Sequence, residues 1–73
     1  MGSLQLRPDR LVLALHGAGF TIERQTGSHV ILKGKEGHFA NVPMHAGRDV
    51  PSGTLRAILT DAGMTVDQLR NLL

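Results

Sequence analysis

Apolar residues recur at helical spacing near both ends of this chain and at alternate positions between them. That change of period constrains the fold more than any other feature. Leu11, Ala14, Leu15 and Ala18 fall at i, i+3, i+4 and i+7, one face of a helix. Pro8 suits the first turn, where its missing N–H is no loss, and Asp9 complements the positive end of the helix dipole. Gly17-Ala18-Gly19 supplies glycines able to take the positive φ of a helix end. From Phe20 the period becomes two: Phe20, Ile22 and Arg24 alternate with Thr21, Glu23 and Gln25, as in a half-buried strand. Thr26-Gly27 predicts a turn, Ser28 to Lys33 a second strand and Gly34 to Gly37 a hairpin loop. His38 to Val42 gives a third strand, stopped by Pro43. Parity puts Val30 and Leu32 on one face with Ala40 and Val42. His29, Ile31 and Lys33 take the other face, with Phe39 and Asn41.

After a loop of turn formers from Met44 to Pro51, a second helical stripe follows: Leu55, Ile58, Leu59 and Ala62. Ser52 is its expected N-cap and Gly63 its stop. Thr65-Val66-Asp67-Gln68 is a capping-box pattern, opening a short helix that places Val66, Leu69 and Leu73 on one face. The order is helix, three strands, helix, short helix. This is an α+β class in which two amphipathic helices cover one face of a three-stranded antiparallel sheet and leave the other open. The architecture resembles a double-stranded-RNA-binding domain, an α-β-β-β-α sandwich with a short C-terminal helix. Residues 1–73 are read as a single domain, with residues 1–6 expected to be flexible and Met1-Gly2-Ser3 partly a cloning remnant.

A chain of 73 residues has room for one small core and no deep substrate pocket. It has no cysteine, which excludes disulfides and thiolate zinc sites. Lys and Arg number 8 against 6 Asp and Glu, a balance that suits a polyanion or an acidic protein surface. Acids sit beside several of the bases (Glu23-Arg24, Lys35-Glu36, Arg48-Asp49), which is equally how an ordinary solvated surface looks. With no Trp or Tyr and only 2 Phe, an aromatic platform for stacking single-stranded bases is not expected. The longest apolar stretch, Leu11 to Leu15, is far too short to span a bilayer, so a soluble, cytoplasmic chain is expected. The opening Met-Gly invites myristoylation, but Leu6 stands where Ser or Thr is required.

The chemistry-bearing candidate is His29, in Gly27-Ser28-His29 at the mouth of the apolar run Val30-Ile31-Leu32. Histidine is the side-chain type whose ordinary pKa lies near neutral, so it can both take and give a proton. The bland alternative is that His29 caps the turn or simply lines a strand. Ser28 could orient the imidazole or contact phosphate, or close the turn through its backbone. Gly27 serves backbone geometry. Arg24, Lys33, Lys35 and Arg56, with the N–H groups of Gly53 and Thr54, together make a phosphate track, although each alone reads as solvated charge. His45 is a candidate orienting or second acid–base group. His38 reads as a strand-edge histidine and His16 as a helix-surface one. No pair of these imidazoles has zinc-motif spacing, so no metal and no cofactor are expected. Ile31 and Phe39 are either overspill of the core or the apolar centre of a protein interface.

Five ordered blocks carry a resemblance that covers nearly the whole chain. They are Gly19-Phe20, Arg24 to His29, Val42-Pro43-Met44-His45, Gly53 to Leu59 and Ala62 to Thr65. Together they resemble the HicA family, the small toxins of HicA–HicB toxin–antitoxin pairs. The resemblance implies an mRNA interferase, a metal-independent endoribonuclease that cleaves transcripts and arrests translation. It implies one catalytic histidine, at His29, and a HicB-type antitoxin covering the active region, with His29, Ile31 and Phe39 as interface candidates. Met44 departs from the pattern, at a position that often carries a more polar residue; this points it toward substrate or partner contact rather than chemistry. Two other classes stay open at this point, a non-catalytic RNA-binding module and a protein-interaction domain, because one fold serves all three.

Overall fold

A computed structural model describes residues 4–73. The reading of Met1-Gly2-Ser3 falls outside the described residues. The elements are α1 (Pro8–Gly17), β1 (Thr21–Thr26), β2 (His29–Lys33), β3 (Phe39–Pro43), α2 (Ser52–Ala62) and α3 (Val66–Leu72). The strands form an open antiparallel sheet in the order β1-β2-β3.

The core is the inner face of this sheet closed by the helices. Val30, Leu32, Ala40 and Val42 point into it, as strand parity requires. Leu11, Ala14 and Leu15 of α1 and Leu55, Ile58, Leu59 and Ala62 of α2 meet them, with Leu69 from α3. Among the described residues no polar or charged residue is buried, so the titratable chemistry of the domain lies at its surface.

The helix ends follow their local chemistry. Gly63 takes φ 70°, the left-handed conformation that glycine adopts without strain, and stops α2. Thr65 and Gln68 close a full capping box, the Gln68 amide donating to Thr65 Oγ1 at 3.1 Å and the Thr65 amide to Gln68 Oε1 at 2.8 Å. Ser52, however, is the first helical residue rather than the N-cap. That place belongs to Pro51, whose carbonyl accepts the first helical bond from Leu55 at 2.8 Å. Ala18 lies just past α1 and is exposed, so it drops out of the apolar stripe. Val66 and Leu73 are exposed as well; Leu73 falls beyond the end of α3, and Leu69 alone anchors that helix.

Two segments differ from the sequence reading. Leu6 is buried and its carbonyl accepts from the Val50 amide at 2.7 Å, so the chain before α1 is tied to the domain from that residue on. β1 is exposed along its whole length, because α1 and α2 pack chiefly over β3 at the opposite side of the sheet. Phe20, counted with that strand by its period, sits just before it and is buried in the core.

Candidate active site

The β1–β2 connection is a two-residue hairpin, Gly27-Ser28, between the paired residues Thr26 and His29. Gly27 holds φ 52° there, a conformation that disfavours a side chain and explains glycine at this point. The Ser28 carbonyl accepts from the Met44 amide, making Ser28 and Met44 a hydrogen-bonded pair. The alternation of an antiparallel ladder then makes the adjacent pair, His29 and Pro43, a non-hydrogen-bonded one. Proline fits that position because no N–H is called for. His29 is therefore held between a tight turn and a strand that proline brings to an end.

Its imidazole lies on the open face of the sheet and is exposed. Among the described residues, neither ring nitrogen has a hydrogen-bond partner within the protein. Both are left for something from outside.

The pairing register puts two cations on the face of His29. Lys33 shares its strand face, four residues along, and its Nζ stands 5.7 Å from the Phe39 ring centroid across the ladder. Arg24 arrives by a device that period two does not show. The register shifts between Ile22 and Arg24, leaving Glu23 as an extra residue in β1. Ile22 stays opposite inward-facing Leu32, whereas Arg24 stands opposite outward-facing Ile31. The bulge thus re-aims Arg24 onto the open face, away from the side it shares with Ile22 in a regular strand. Arg24 is then a diagonal neighbour of both His29 and Lys33, at the ~7–8 Å of such pairs.

Other candidates lie apart from this group. Lys35 folds over Gly19 at the end of α1, beside Phe20, Glu36 and His38. Arg56 lines a groove in the helical layer with Ser52, Val66 and Arg70, and Thr54 begins the same helix; the sheet stands between them and His29. His45 is exposed in the loop after β3, two residues beyond the proline opposite His29. His38 donates through Nδ1 to the Asp61 carbonyl at 3.2 Å, fastening the start of β3 to the end of α2. Ile31 is partly exposed and Phe39 half exposed, and both flank the cations. Among the described residues no three His, Asp or Glu side chains converge as a metal site.

The exposed imidazole of His29 thus shares the open sheet face with Arg24 and, farther along, Lys33. The family described as HicA toxin of bacterial toxin-antitoxin matches residues 8–64, from the first residue of α1 through the turn after α2. The chain belongs to the HicA toxin family. The matched span includes the Gly27-Ser28 hairpin, His29 and the whole sheet of this toxin; α3 lies outside it. Membership makes this HicA chain one member of a toxin–antitoxin pair, so a protein partner belongs to its biology. No curated protein matches the chain. No helix among the described residues is long and apolar enough to cross a membrane.

Proposed function

We propose that this HicA toxin is a cytoplasmic endoribonuclease that cleaves mRNA through His29, with no step routed through a metal or cofactor, and so blocks translation. The observation that carries the proposal is the unpartnered, exposed imidazole of His29 on the face that also holds Arg24 and Lys33. RNA brings its own nucleophile. His29 removes the proton of a 2′-hydroxyl, whose oxygen bonds to the adjacent phosphorus. The bond from phosphorus to the 5′-oxygen breaks, leaving a 2′,3′-cyclic phosphate and a 5′-hydroxyl, and that departing oxygen takes up a proton. General base assistance of this kind is worth ~10²–10⁴-fold. Arg24, the nearer cation, holds the phosphate oxygens as charge gathers on them, and Lys33, at the other end of the strand, holds a neighbouring phosphate. Gly27 and Ser28 set the position of the imidazole, and His45 borders it from the loop. Lys35, Thr54 and Arg56 serve as contacts to flanking RNA beyond the sheet.

The same face receives a HicB-type antitoxin, with Ile31 and Phe39 as apolar anchors beside His29. One partner then covers both the proton carrier and the phosphate-binding cations.

The test uses purified toxin, excess chelator and two matched RNAs, one with 2′-hydroxyls and one fully 2′-O-methylated. Cleavage of the first alone, with cyclic phosphate ends, supports the reading. Cleavage of both, or of neither, overturns it.

A further inference from the structure

Beside the hairpin that carries His29, an open cleft of about 410 Å³ separates the start of α1 from the loop after β3. Arg7, Pro8 and Asp9 form one wall, and the loop from Met44 to Gly47 forms the other. We propose that this cleft is a guanine subsite, holding the base of a nucleotide next to the phosphodiester cut at His29. The proposal rests on the nuclease reading above and adds a substrate preference to it.

Position comes first. The loop wall begins at Met44, whose amide is bonded to the Ser28 carbonyl, one residue from His29. His29 and Pro43 have Cα atoms ~4.5 Å apart as a non-hydrogen-bonded pair, and each further residue adds at most ~3.8 Å. The loop wall therefore starts at the end of the sheet that carries the imidazole. Its floor is firm, because Met44 packs against the core and Pro8 is buried.

Its polar groups then select the base. The Asp9 carboxylate is oriented by the Arg10 amide, which donates to Oδ1 at 3.0 Å. Its other oxygen is exposed and free to accept from a ligand offering N–H donors. Arg7 donates its Nε to Asp49 at 3.1 Å, which leaves its terminal N–H groups to donate elsewhere. Guanine presents N1–H and N2–H₂ side by side for a carboxylate, with O6 adjacent for a guanidinium. Uracil presents a single N–H between two carbonyls, which face the carboxylate unfavourably. His45, exposed on the loop wall, offers its ring as a stacking face.

Two measurements test this. In the first, the full toxin is titrated with guanosine 5′-monophosphate and with uridine 5′-monophosphate while backbone amide shifts are followed by NMR. Guanylate shifts centred on Asp9 and on Met44 to Gly47, much weaker with uridylate, support the subsite; equal shifts or shifts elsewhere overturn it. In the second, cut sites in a random RNA pool are sequenced for the wild type and Asp9→Asn. The wild type is expected to favour guanine over uracil at one fixed position beside the cut, and Asp9→Asn to lower that ratio about tenfold. An unchanged ratio in Asp9→Asn overturns the subsite while leaving the nuclease reading standing. Guanylate binding in the cleft with no cleavage of any RNA overturns the nuclease reading instead.

Discussion

Arg24 stands directly across the sheet from Ile31, the residue midway between His29 and Lys33 on the neighbouring strand. This places three polar side chains of opposite origin, a hairpin mouth, a bulged edge and a strand end, on one exposed surface. The arrangement follows from an extra residue at Glu23 rather than from any local preference of arginine. On the nuclease reading, it would also give each of the two cations a distinct position on a bound RNA strand.

Removing those cations singly should weaken RNA binding and reduce its dependence on salt. Arg24→Ala and Lys33→Ala are each expected to lower the slope of log K against log salt by ~0.7, the value for one phosphate contact on a single strand. Arg56→Ala, in the helical layer, is expected to change the slope less. Fluorescence anisotropy with a short RNA across a salt series checks this. Equal effects from all three variants would count against a face-specific site.

Phe39 is 48% exposed, and its ring lies beside Lys33 without belonging to the core. Phe39→Asp should therefore leave the melting temperature nearly unchanged while weakening the antitoxin complex by about 2 kcal/mol, roughly thirtyfold. Isothermal titration against the HicB-type partner reads the loss. Unaltered affinity would remove the open face as the interface.

Gly34 and Gly53 make a matched pair for stability. A Cβ at Gly34 would come within 2.9 Å of the buried Phe20 ring, which the core prevents from moving aside. Gly34→Ala should cost about 1–3 kcal/mol, lowering the melting temperature by at least ~4 °C in a domain of this size. A Cβ at Gly53 meets nothing within 4 Å in the first turn of α2. Gly53→Ala should stabilise that helix by about 0.5–1 kcal/mol. Thermal melts followed by circular dichroism distinguish the two, and equal shifts would place the Phe20 ring elsewhere.

Much of this could be read from residue spacing, for physical reasons that also mark where the reading stops. Val30 and Leu32 pair with Val42 and Ala40 as parity demands, since a period of exactly two leaves no freedom once one face is buried. Gly63 and the Thr65–Gln68 box announce themselves because caps are satisfied within a few residues. The face of Arg24 was not legible, because a bulge is fixed by pairing with a distant strand and leaves no mark in its own strand's alternation. The exposure of Ile22, at 56%, has the same kind of origin: it depends on where α1 and α2 settle, over β3. His29 could be singled out from Gly27-Ser28-His29 alone, but its cationic neighbours required the register. The cleft between Asp9 and His45 was invisible for the same reason, as those two residues are joined only by the closure of the fold.

The most direct trial of the account compares wild-type toxin with His29→Ala on one RNA, in excess chelator, with a thermal melt of each protein alongside. His29 is exposed and carries no internal hydrogen bond, so the substitution should shift stability by no more than ~0.5 kcal/mol. Cleavage is expected to fall by ~10²–10⁴-fold while the fold persists. A variant that folds as well as the wild type and cuts RNA at the same rate would contradict the assignment of the proton transfer to His29.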